Sequence, residues 1–215
     1  MQKKTLVASL ALAVFALAAP AFAGPPFLCH PFDIGAAASL PWKSHDWLGL
    51  NPDYDVHAVV ADTEALLTPA TPTLVRMETL RRAVLYASRD RAVAEQLLAA
   101  VMTRLQAAKR AGASDATAWF DAGYVVEALR EVEDMGHHMS DLADRGRLMA
   151  GITRAVDGQP LLETSAAMRP DDSATAFALA LIARAPDSNA HLIKARAGAK
   201  HDRLLASNLA RLQLQ

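Results

Sequence analysis

From Asp53 onward, apolar residues return on a period of 3.6. That period constrains the fold more than any other feature of the chain. Leu74, Met77, Leu80 and Val84 form one series. Val93, Leu97, Leu98, Val101 and Leu105 form a second, Trp119, Ala122, Val126 and Leu129 a third, and Leu205, Leu209 and Leu212 a fourth. Each series lies on one stripe of an α-helix. Alanine is abundant and β-branched residues are sparse, which favours helix again. The punctuation agrees. Pro69 and Pro72 open one helix, Asp90 caps the next and Gly112 ends it. Ser114 or Asp115 starts another, and Gly136, Gly158, Pro170, Pro186 and Gly198 mark later breaks. The expectation is an all-α fold of about eight helices, 11–22 residues each, whose short loops make sequential helices antiparallel neighbours.

Two segments precede this pattern. Residues 1–23 read as a cleaved secretory signal. Lys3 and Lys4 supply the positive start, Leu6 to Ala19 is apolar and uncharged, and Ala21-Phe22-Ala23 fits the small-residue cleavage pattern. The apolar run is shorter than the roughly 20 residues a membrane-spanning helix needs. The chain is therefore expected to be exported, periplasmic or secreted, without stable membrane insertion after cleavage. Residues 24–52 carry Pro25, Pro26, Pro31, Pro41 and Pro52 with Phe27, Phe32, Trp42 and Trp47. So many prolines forbid a single helix, so this segment reads as an extended arm with a short helical turn at Ile34–Ser39. Its aromatic residues, Trp42 and Trp47 above all, are expected to dock it on the helical domain, residues 53–215.

Composition excludes several classes. With 52% hydrophobic residues the chain can bury a core. One cysteine rules out an internal disulfide framework. A formal net charge of −1 gives no cationic excess for nucleic acid. The basic cluster Lys194, Arg196, Lys200, His201 and Arg203 is balanced by acids elsewhere. Glu127 and Glu131 share a helix face at i, i+4 with Glu133 and Asp134 nearby, and read as a solvated acidic face.

The stretch Trp119-Phe120-Asp121-Ala122-Gly123-Tyr124-Val125-Val126 resembles the first helix of a tetratricopeptide repeat: a large aromatic, then a small pair, then another bulky residue. Gly123 would let two helices approach closely. The resemblance covers one helix. Downstream, Met135, Met139 and Arg147 stand where the family carries alanine, aromatic and proline markers. It implies an array of antiparallel helical hairpins, an α-solenoid, beside the plain alternative of an irregular helical bundle. The run Leu28-Cys29-His30-Pro31-Phe32-Asp33-Ile34-Gly35, with Ser39-Leu40-Pro41-Trp42, is similar to the start of a group of uncharacterised exported bacterial proteins with helical bodies, and implies no activity.

Three functional readings follow. A hairpin array leaves a concave surface suited to a protein or peptide partner, with Trp119, Phe120 and Tyr124 as contact residues and the arm as a possible occupant of the groove or edge. No cofactor is expected. Met135, His137, His138 and Met139 bring two thioethers and two imidazoles together in five residues, a set suited to copper. Cys29 beside His30 could serve a cysteine-dependent enzyme, or bind a soft metal with His30, His45 or His57. However, no ligand spacing links them, and neighbouring side chains do not form a ready dyad. The expected role is non-enzymatic. There is no glycine-rich phosphate loop, G-x-S-x-G, H-E-x-x-H or C-x-x-C-H.

Overall fold

The computed structural model describes residues 27–44, 46–112, 115–183 and 187–212. Among these residues the fold is all-α. Helices α1 (Val59–Leu66), α2 (Thr73–Ala87), α3 (Arg91–Arg110), α4 (Ala116–His138), α5 (Ala143–Met149), α6 (Gln159–Met168), α7 (Ser173–Ile182), α8 (Asp187–Ala199) and α9 (Arg203–Arg211) follow in order. The only β-structure among the described residues is an isolated antiparallel bridge between Trp42 and Leu50. The predicted signal segment, His45, Ser114 and Pro186 lie outside the described residues. No described helix is long and apolar enough to cross a membrane.

The helix starts follow from local chemistry. Asp90, Asp115, Asp172 and Asp202 each stand at an N-cap and accept two backbone amides of the first turn. Pro72, with φ preset at −59°, opens α2. Gly112, at φ +60°, lets the chain turn out of α3. Two breaks fall elsewhere than expected. Gly136 lies inside α4, and the helical turn of the arm is at Phe27–Cys29, with only a hydrogen-bonded turn at Ile34–Ala37.

Gly136 is retained in a helix because of what it touches. A Cβ there would sit 2.5 Å from Cα of Gly146 on α5. The same device recurs where α4 meets α6: a Cβ on Gly123 would approach the Gly158 carbonyl to 2.8 Å, and one on Gly158 the Gly123 carbonyl to 2.4 Å. Close approach at Gly123 is as expected, although it is α6 that approaches.

α2 and α4 are the centre of the molecule. α2 packs against α1, α3, α4 and α7, and α4 against α2, α3, α5 and α6. Every residue of α2 except Arg82 is buried. A helix enclosed on all sides has no polar face, so its charged residues must pair internally. Arg76 bonds both carboxylate oxygens of Asp121 at 2.7 and 2.9 Å, and Arg104 reaches the same Asp121 at 2.8 Å. The arm shares this core: Phe27, Leu28, Phe32, Ile34 and Leu40 are buried with the helices. The composition change at Pro52 therefore marks a change of backbone type within one packed unit.

Candidate functional site

The arm lies in a channel whose walls bond its backbone. Glu131 on α4 accepts the amides of Phe27 at 2.7 Å and Leu28 at 2.9 Å. Glu78 on α2 accepts the Phe32 amide at 3.0 Å. Asn208 on α9 accepts from the Asp33 amide and donates to the Asp33 carbonyl, at 2.8 and 2.9 Å, as a neighbouring strand would. Arg81 donates to the carbonyls of Leu28 and Trp47, and Arg82 to that of Leu40. The Tyr86 hydroxyl donates to the Pro41 carbonyl and accepts from the Asn51 amide. Six side chains thus hold the arm by its main chain.

Glu78 is the hub. Its two oxygens take Arg81, Arg82 and the Phe32 amide together, at 2.6 to 3.0 Å, and its side chain is fully buried. The guanidinium groups of Arg81 and Arg82 lie 4.8 and 5.4 Å from the ring centroid of Trp42. Apolar contacts complete the channel. Phe27 meets Tyr124 edge-on, Phe32 meets Phe177, and Trp42 meets Tyr86. Trp47 packs half-buried against the core.

This arrangement corrects the reading of the acidic residues on α4. Glu131 is no solvated carboxylate: removal from water raises its pKa from 4.5 to about 8, against the lowering effect of the two arm amides. Glu127 is also buried. It bonds the Gly158 amide at 2.8 Å and Arg130 at 2.5 Å, joining α4 to the start of α6.

The other sequence candidates are placed as follows. Phe120 and Tyr124 are in the core, 2% and 0% exposed and stacked on each other; neither faces solvent, and Tyr124 meets the arm through Phe27. Their apolar bulk lies on the enclosed side of α4. Trp119 is half-buried, with the Lys109 ammonium 4.4 Å from its ring centroid. Met135 is in the core while His137 and His138 are exposed, so this set does not share one environment. Both histidines lie in the last turn of α4, where they complement its dipole. Cys29 is half-buried. Burial first, and then Glu131, pushes its thiol up to about 11. At neutral pH such a thiol is almost wholly protonated and a poor nucleophile. His30 is half-buried with Nε2 lacking a hydrogen-bond partner among the described residues, and burial and Arg81 lower its pKa. His57 is exposed on its 3-10 turn. Among the described residues no three His, Cys, Asp or Glu side chains form a metal-binding group.

No family model, curated protein or solved structure matches the chain. The site must therefore be read from its geometry. A cleft of ≈ 410 Å³ adjoins the channel, between Ile34 and Ala37 of the arm, the start of α2, and Leu204 of α9. Of its charged residues, Arg169 and Asp172 are bonded together and to Thr73, and Asp202 accepts two amides of the first turn of α9; the rest of the lining is mostly apolar. Sequence reasoning missed Glu78, Arg81, Arg82, Tyr86 and Asn208. One signal was available: on α2, Arg76, Glu78, Arg81 and Arg82 fall among apolar residues on every side, and such a helix has no solvent face.

Two titrating groups bracket the docked arm. Stability from neutral His30 is present above its ordinary value of 6.5 and is lost as pH falls through the lower folded value. Glu131 binds its proton more tightly when docked. Its contribution is full below 4.5 and is lost as pH rises towards about 8. The melting temperature of Glu131→Gln should therefore gain on that of the wild type between pH 5 and pH 8, roughly the interval between the two values. Parallel curves would refute a neutral Glu131 in the docked state.

Proposed function

We propose that this chain is an exported, non-enzymatic helical protein that binds polypeptide by its main chain, and that its own arm is the resident occupant of the site. One observation carries the reading. Glu78, Arg81, Arg82, Tyr86, Glu131 and Asn208 bond main-chain groups of the arm, so a segment of other sequence could meet the same donors and acceptors. Specificity comes from the pockets around Phe27, Phe32 and Leu40. A high thiol pKa at Cys29 argues against nucleophilic chemistry in the same channel.

The test uses a labelled peptide of residues 27–52 carrying Cys29→Ser, titrated into the whole protein. Saturable binding is expected. Displacement of the resident arm would also speed modification of Cys29 in the protein by a thiol reagent. A peptide that neither binds nor changes that rate at about millimolar concentration would leave the arm as a fixed part of the fold and end the proposal.

A further inference from the structure

Most of what holds the arm is blind to sequence. Glu131, Arg81, Arg82 and Tyr86 meet amides and carbonyls, which the main chain offers whatever its side chains. Where the arm meets α9 the contact changes character. Asn208 again clasps the main chain of Asp33, but Ser207 donates to the Asp33 carboxylate itself, at 3.0 Å. Asp46, by contrast, is exposed, and its carboxylate bonds Ser44 of the arm.

The other oxygen of Asp33 accepts the Gly35 amide at 3.0 Å. This closes a two-residue turn that suits aspartate or asparagine and not a longer side chain. Gly35 stands at φ +62°, where any other residue is strained. Apolar side chains are buried on both sides of Asp33. Phe32 meets Phe177 edge-on with centroids 5.8 Å apart, and Ile34 lines the cleft with Leu204 of α9. Arg211 lies one turn beyond Ser207 on the same face of α9. The Gly35 amide first, then Ser207, and the Arg211 cation hold the Asp33 carboxyl below its ordinary 3.8, so it is ionised at neutral pH. Four consecutive residues, Phe32 to Gly35, thus each meet a separate requirement.

We propose that α9 selects what enters the channel: partners carry an aromatic residue, an aspartate, an apolar residue and a glycine in succession, as in Phe32-Asp33-Ile34-Gly35, with Ser207 reading the aspartate and Asn208 fixing its register. This rests on the reading of the channel as a peptide site and narrows it to one class of polypeptide. Main-chain bonds supply affinity along the channel, and side-chain contacts at one end supply the choice.

The experiment is a competition series with the whole protein. The labelled peptide of residues 27–52 with Cys29→Ser is displaced by the same peptide unlabelled, and by forms that add Asp33→Ala, Asp33→Glu or Asp46→Ala. The resident arm scales every apparent affinity by one factor, so ratios between peptides are unaffected. Asp33→Ala and Asp33→Glu should each compete about tenfold more weakly than the parent, as for loss of a hydrogen bond to a charged group. Asp46→Ala, which removes the same charge at an exposed position, should compete as the parent does. In Ser207→Ala protein the penalty for Asp33→Ala should fall to about threefold, the remainder coming from the turn at Gly35 and the field of Arg211. Equal competition by the parent and Asp33→Ala, or an undiminished penalty in Ser207→Ala protein, would overturn the proposal and leave peptide binding standing. A parent peptide that does not bind would instead remove the channel reading, and this proposal with it.

Discussion

Glu78→Ala should cost about 3–5 kcal/mol of stability, as expected when one member of a buried ionic network is removed. The substitution leaves Arg81 fully buried without its carboxylate partner, half-frees Arg82, and strands the Phe32 amide. The penalty arises mainly from the uncompensated buried charge, since hydrogen bonds alone are worth about 1 kcal/mol each. Chemical denaturation with fluorescence detection checks it, and Trp42, which rests against Arg81 and Arg82, is a local reporter. A loss under about 1 kcal/mol would mean that water reaches Arg81 once Glu78 is gone, and that the channel is less sealed than its geometry indicates.

Gly136→Ala tests the centre of the fold by a different route. Helix propensity alone favours alanine by about 1 kcal/mol. The added methyl carbon, however, would stand 2.5 Å from Cα of Gly146. Backbone cannot rotate aside as a side chain does, and α4 and α5 must separate. Overpacking of this kind costs about 1–3 kcal/mol, sometimes more. The net change should therefore be a loss of up to about 2 kcal/mol, read as a lower denaturation midpoint with unchanged slope. A stabilised variant would show that α5 moves freely against α4. Gly112→Ala is the contrasting case: nothing lies within 4 Å of the added carbon, and only the φ of +60° resists it.

Local rules recover local features of this protein. Apolar period gives the helices, and aspartate and glycine give their ends, as at Asp90, Asp115 and Gly112. Those features depend on neighbours a few residues away. Gly136 shows where the rules stop: a glycine within a helix reads as a break unless its partner, here Gly146, is known. The site fails for the same reason. Glu131 lies at i, i+4 from Glu127, a spacing that describes a solvated face until residues more than a hundred positions away cover it. The arm was legible as an arm, through its prolines and aromatic residues. Its anchoring to Glu78 and Asn208 was not, because an amide donor is the same in every residue and leaves no trace in composition. Phe120 and Tyr124 carry the bulk that marks a motif in the sequence, and the same bulk places them in the interior.

The clasp between Asp33 and Asn208 joins positions 175 residues apart. All the helices up to α9 must therefore be made before Asp33 is clasped. During synthesis Phe27 and Leu28 stay uncovered until α4 is made, Phe32 until α7, and Asp33 unclasped until α9, a window in which a chaperone could capture the chain or a premature truncation could expose it to proteolysis.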